Sequence, residues 1–238
     1  MAIILEQRFP LGRFHATRWN QNAFEDRHGE WPPSPWRLLR ALAARWLQYS
    51  RETGDEDELA RDGLLQQLAS VPPAFYVPSL TWRGEPAVRQ YHQTGVEWTA
   101  KGKKDAAYKK SMTTLVPDHF RAVAPDQSLY WFWDNLELSP KHLALFDALL
   151  NRIVYFGRAE TFCRIRRANQ TAGFRPNCIL NATAKDQAPV LVAVPGKPLD
   201  IATLLASTDD RLLAGRPFRQ ERRGSTPSYH HARRCDRQ

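Results

Sequence analysis

Hydrophobic and polar positions follow two different periods along this chain, and the switches between them outline its elements. Residues 2–9 (Ala-Ile-Ile-Leu-Glu-Gln-Arg-Phe) read as a first strand, with 11–17 extending it after the break at Pro10. From Ser34 the period becomes helical. Ser34 is a good N-cap and Pro35 a good first helical residue. Leu38, Leu39, Leu42, Ala43, Trp46 and Tyr49 then share one face, while Arg37, Arg40 and Arg51 share the other. Such a helix covers a sheet with one side and presents positive charge with the other. Gly54 and the acidic run 55–58 end it, and a shorter helix is predicted over 58–70. Residues 74–81, rich in aromatic and β-branched side chains, read as strand, and 84–127 read as an insertion.

The run Leu129-Tyr130-Trp131-Phe132-Trp133 is bulky throughout, the pattern of a central strand buried on both faces. Ser139-Pro140 repeats the cap signature, with Leu143, Phe146, Leu149, Leu150 and Ile153 forming a core stripe. Gly157 is placed to terminate that helix. Residues 158–167 then read as a final strand with Arg164 and Arg166 on one face and Cys163 and Ile165 on the other. Beyond Ala168 the signal weakens to a short strand at 189–194, a short helix at 199–205 and irregular chain from Gly215.

The order is therefore strand, helix, strand, strand, helix, strand. It predicts an α+β fold on the ferredoxin-like βαββαβ plan of RNA-recognition domains, although no RNP1-type motif is present. The domain is expected to span 1–215, with the insertion at about 84–127 and a small C-terminal extension. Residues 216–238, with seven arginines against two acids, read as a basic tail or the start of a further domain.

Charge sharpens this picture. Lys and Arg number 34 against 25 Asp and Glu, a net charge of +9 and a pI near 9.7, which favours a polyanionic partner: nucleic acid first, an acidic membrane surface second. No apolar run approaches the ~20 residues of a membrane helix, and the N-terminus lacks the features of a signal peptide. The three cysteines show no metal-type spacing, so a cytoplasmic, reduced protein without structural zinc, other metal or cofactor is expected. Residues 101–110 hold five lysines and one aspartate: either a solvated loop or a mobile basic finger that closes on a nucleic-acid backbone. Over 8–42 aromatic rings alternate with arginines, the materials for stacking bases and holding phosphates, or else a core beside a solvated helix face. Trp31 and Trp36 fit either role, and a lone His15 fits packing better than catalysis.

Three segments carry a resemblance: Gly12-Arg13-Phe14-His15-Ala16-Thr17 with Trp19, the run from Glu30-Trp31-Pro32-Pro33-Ser34-Pro35-Trp36-Arg37 to Leu42, and Phe156-Gly157-Arg158-Ala159-Glu160-Thr161-Phe162. Together they resemble the CRISPR-associated Csb-two family of type I-G (formerly I-U) systems, Cas-five/Cas-six fusions of the RAMP superfamily. The third segment is similar to the Leu-Gly-Arg-(Ala/Ser)-Glu-Ser turn of Cas-five proteins, with Phe156 and Thr161 departing from it. The resemblance covers about residues 1–215 and implies the Cas-five half: a subunit of an antiviral Cascade complex that holds the 5′ handle of the CRISPR RNA and caps the backbone filament. Its implied partners are that RNA, the backbone and large subunits and, through the complex, target DNA. The implied RNA contacts are Arg13, His15, Arg18, Trp19, Arg37, Arg40, Arg158, Arg164 and Arg166, with Lys101, Lys103 and Lys104 on a thumb. Glu160 is expected to orient an arginine.

The expectation is binding without catalysis. One alternative is metal-independent cleavage of precursor RNA by 2′-hydroxyl attack, for which His15 would be the catalytic group. The other is a structural subunit whose basic surface meets acidic proteins. On the binding reading, Arg37→Ala with Arg40→Ala is expected to weaken handle binding and leave the fold intact.

Overall fold

The computed structural model describes residues 2–18, 26, 29–81, 87–101, 105–169, 173–180, 189–206 and 228–231. Along the chain these form β1 (Ile3–Arg8), β2 (Arg13–Phe14), α1 (Pro35–Thr53), α2 (Glu58–Ser70), β3 (Ala74–Tyr76), β4 (Ala87–Lys101), β5 (Asp105–His119), β6 (Arg121–Ala122) and β7 (Ser128–Trp133). They continue with α3 (Pro140–Leu150), β8 (Arg164–Arg167), β9 (Cys178–Leu180), β10 (Pro189–Leu191), α4 (Ile201–Leu205) and β11 (Ser228–His231). The fold is mixed α+β. Five antiparallel strands in the order β9-β3-β7-β1-β8 form the main sheet, and β11 then β10 continue it beyond β9. The connection from β1 through α1 and α2 to β3 passes over one strand, β7. So does the connection from β7 through α3 to β8, which passes over β1.

Local chemistry explains the helices. The Ser34 hydroxyl accepts from the Arg37 N–H at 3.3 Å, and Pro35 starts α1 where its missing N–H is harmless. Gly54, at φ 71°, closes α1 by donating to the Ser50 carbonyl at 2.8 Å. Asp57 caps α2 and Ser139 caps α3 in the same manner. Helix α3 ends at Leu150 with Asn151 as its cap, so Gly157 is not its terminator.

The sheet divides the protein by side-chain alternation. Leu5, Gln7, Trp131, Trp133, Ile165, Arg167 and Phe75 point to the helical side, where Arg167 pairs with Asp147 of α3. Trp131 and Trp133 stack at 6.1 Å, and their indole N–H groups donate to Gln7 Oε1 and the Val71 carbonyl, both at 3.0 Å. Full burial of each such side chain contributes roughly 2–3 kcal/mol before ordering costs. All six residues of β7 are buried, as a central strand requires. On the opposite face lie Glu6, Arg8, Ser128, Tyr130, Phe132, Arg164, Arg166 and Tyr76.

Several sequence expectations are corrected. The final strand starts only at Arg164, because 156–161 fold as a tight turn. Arg13 and Phe14 do not extend β1 but pair with Arg121 and Ala122 in a separate small sheet. The predicted strand at 74–81 closes at Tyr76, and Ser228–His231 adds a strand between β9 and β10 in a stretch expected to be irregular. The insertion holds a two-stranded hairpin, β4 with β5, whose strands pair, among the described residues, only with each other and whose register shifts twice, between Gln93 and Gly95 and between Glu97 and Trp98. At ~3.3 Å per residue its 15-residue strands reach about 50 Å. Among the described residues no helix is long and apolar enough to cross a membrane.

Candidate nucleic-acid interface

The two outer segments of the resemblance meet in space. Phe14 is fully buried, with its ring 5.2 Å from Phe9, 5.9 Å from Trp31 and 6.4 Å from Phe156, and this anchors 12–17 against the turn at 156–161. The His15 N–H donates to the Thr161 hydroxyl at 3.0 Å, and the Arg158 N–H donates to the His15 carbonyl at 2.9 Å. The turn closes on itself through Phe156 N–H to the Thr161 carbonyl and Thr161 N–H to the Arg158 carbonyl. Gly157 stands at φ 96° with its α-carbon against the His15 carbonyl; a side chain there would come within the 3.0 Å that Cβ atoms do not breach. A glycine is therefore demanded twice, by conformation and by contact.

His15 is 6% exposed, and its Nδ1 lies 2.7 Å from Glu160 Oε1. Glu160 thus holds a histidine where an arginine was expected, although Arg158 is also close enough to act on its charge. Burial raises the Glu160 pKa, but its own backbone N–H, His15 and Arg158 outweigh burial and hold it below the usual carboxylate value.

The arginines differ in what remains free for a ligand. Arg37 donates to Glu30 Oε1 at 3.0 Å, to Glu30 Oε2 at 3.1 Å and to the Thr17 carbonyl at 3.0 Å. Glu30 is buried and also accepts from the Ser34 N–H at 2.7 Å. Burial opposes the Arg37 charge, yet Glu30 more than compensates and raises its pKa. Arg40 donates to the carbonyls of Leu204 and Ala206, closing the end of α4. On the α1 face expected to present charge, Arg37 and Arg40 instead pack inward, against a buried carboxylate and a helix end, while Arg51 stays exposed. Arg18 pairs with buried Asp26 at 2.9 Å. Arg13, by contrast, has a buried Nε with no hydrogen-bond partner. Trp31 and Trp36 are core residues, 6% and 7% exposed.

Arg164 and Arg166 lie on the non-helical sheet face, with two neighbours the sequence reading passed over, Glu6 and Arg8. Glu6 accepts from Arg8 Nε and Ser128 Oγ, each at 2.8 Å, and from Arg166 at 2.8 and 2.9 Å. Burial raises its pKa, but Arg166, Ser128 and Arg8 together lower it below the ordinary value. Strand alternation along residues 3–8 puts Glu6 and Arg8 on one face, but only the register reveals their partners. Lys101 ends β4, at the far end of the hairpin; Trp19, Lys103 and Lys104 lie outside the described residues. Nearer the hairpin base, Tyr91 and Leu115 face each other in register and are exposed beside exposed Arg89. Among the described residues no group of three or more His, Cys, Asp or Glu is placed to hold a metal ion. A scan against protein-family models finds no match to this chain, and no curated protein matches it.

Proposed function

We propose that this protein is an RNA-binding subunit of a type I CRISPR effector complex, holding the 5′ handle of the CRISPR RNA and capping the backbone filament. The observation that carries the reading is the junction of the two outer motifs. Segments 146 residues apart in sequence are joined by backbone-level bonds around His15, Gly157 and Thr161. Arg13, with its unmet donor, belongs to one of those segments. The sheet order β8-β1-β7-β3, with each helical connection passing over one strand, supports reading residues 3–167 as a ferredoxin-like unit. The β4–β5 hairpin, a separate two-stranded sheet among the described residues, suits a thumb carrying Lys101, Lys103 and Lys104 to a guide backbone. On this reading the partners are the backbone and large subunits, and target DNA through them, in the cytoplasm.

Purification of the protein from cells expressing a CRISPR array tests the proposal. The expected result is a co-purifying RNA population with one uniform 5′ end; RNA with scattered 5′ ends, or none, overturns it.

One contact favours a second reading. A carboxylate holding an imidazole nitrogen at 2.7 Å, as Glu160 holds His15, is the arrangement of a general base for metal-independent RNA cleavage. The burial of that imidazole argues for the binding role. Incubation with precursor repeat RNA in EDTA decides between them, since specific cleavage that disappears in His15→Ala would establish the nuclease.

A further inference from the structure

On the non-helical face of the sheet, register lines up a strip of side chains running across four strands, about 14 Å at the usual strand spacing. Arg164 on β8 stands beside Arg8 on β1, and Arg166 beside Glu6. Glu6 in turn stands beside Tyr130 on β7, and Tyr130 beside Tyr76 on β3. The β8 end of the strip is cationic. Glu6, 6% exposed, has both carboxylate oxygens occupied by Arg8, Arg166 and Ser128, which fixes two guanidinium forks in orientation. The Arg8 and Arg166 side chains remain 47% and 52% exposed. Arg164 is exposed and has no acceptor among the described residues. One carboxylate cannot neutralise three guanidiniums, so a net positive patch with preset geometry is left for an anion.

The other end of the strip is aromatic. The Phe174 ring lies 4.4 Å from Tyr76 and 5.5 Å from Tyr130, stacked on the latter at 30°, and it remains 39% exposed. An exposed ring on an aromatic base, one strand away from a fixed arginine group, offers a stacking surface next to a phosphate site. A base with its phosphate engages rings and arginines together, whereas the carboxylates of an acidic peptide engage the arginines alone.

We infer that this strip is a second single-stranded RNA contact, separate from the motif junction. Arg8, Arg164 and Arg166 hold backbone phosphates, Phe174 stacks a base, and Glu6 positions two of the three forks. The inference rests on the RNA-binding reading, and it assigns that RNA a path over the sheet face.

Fluorescence anisotropy with a short 5′-labelled single-stranded RNA, across a NaCl series, tests it. Arg164→Ala is expected to weaken binding roughly three- to tenfold and to reduce the slope of log K against log salt by about 0.7, one phosphate of a single strand. Arg164→Lys should restore the slope, since the charge returns. Phe174→Ala should weaken binding roughly tenfold and leave the slope unchanged, because stacking releases no counterions. Arg164 is exposed, so the urea midpoint of Arg164→Ala should match the parent protein. Phe174→Ala also removes a ring packed on Tyr76 and Tyr130 and is therefore paired with Phe174→Leu, which keeps apolar bulk without the ring face and should lose the same RNA affinity. If the parent binds RNA with a steep salt dependence and both variants behave like it, the strip is not a contact and the general reading survives. If the parent binds no RNA, the general reading fails as well. If Arg164→Ala abolishes binding to polyglutamate while RNA affinity is unchanged, the strip belongs to an acidic protein partner and the inference is overturned.

Discussion

Replacing Gly157 by alanine isolates the junction that joins the two motifs. Two costs combine there. An L-residue at positive φ loses roughly 1–2 kcal/mol. The new methyl group would also press against the His15 carbonyl, which is backbone and cannot swing aside. Relieving that contact breaks the Arg158 N–H to His15 carbonyl bond and loosens His15 N–H to Thr161, at about 1 kcal/mol each. The expected total is about 3–4 kcal/mol, or a fall in Tm of about 10 °C for a chain of this size. Gly54 supplies an internal control. It too has positive φ, 71°, but nothing lies within 4 Å of where its Cβ would stand, so Gly54→Ala should cost only about 1–2 kcal/mol. Urea denaturation followed by tryptophan fluorescence and far-UV circular dichroism measures both. Equal losses in the two variants, within about 0.5 kcal/mol, would refute the argument from contact.

Other outcomes follow from the same geometry. Glu30→Ala leaves the Arg37 guanidinium and the Ser34 N–H without their acceptor and should cost about 2 kcal/mol, below the fully buried figure because Arg37 is partly exposed. For the same reason Arg37→Ala with Arg40→Ala should lower the urea midpoint, contrary to the sequence-based expectation of an intact fold; an unchanged midpoint would show that these bonds are dispensable. Glu6, Asp26 and Glu160 all have folded-state pKa values below the ordinary carboxylate range, so their stabilisation is complete above about pH 5 and is lost as pH falls through the depressed values. The urea midpoint should drop as pH falls below about pH 4, and a midpoint that rises on acidification through that range would contradict the assignment. Burial pushes the Cys163 and Cys178 thiols up to about 12, so in a Cys235→Ser background neither should react with a thiol reagent at pH 8 until denaturant is added. Reaction of either cysteine in the folded protein would be inconsistent with its burial.

Features with local causes were legible in the sequence. Ser34-Pro35 and Ser139-Pro140 cap α1 and α3 because capping involves atoms only three residues apart. The bulk of 129–133 identified β7, since only a strand covered on both faces accepts such residues throughout. Gly157 was misread for the opposite reason: a glycine following a helix suits a C-cap, and its true partner, the His15 carbonyl, lies far upstream. Arg37 and Arg40 were misread because periodicity says which helix face turns from the core, not what covers it. Here Glu30, the Thr17 carbonyl and the end of α4 do so. Glu6 was invisible as a positioning group because its two arginines come from different strands, and strand register is not written in either strand alone.

The placement of β1 has a consequence for biosynthesis. It is made well before β7 and β8, its sheet neighbours among the described residues, which are encoded more than a hundred residues later. At ~5–20 residues per second, Leu5 waits roughly ten to thirty seconds for Trp131 and Ile165 to leave the ribosome. Throughout that interval Ile3, Ile4 and Leu5 have neither strand partner to pair with. An interior strand of the sheet thus lacks its full pairing until both flanking strands have been synthesised.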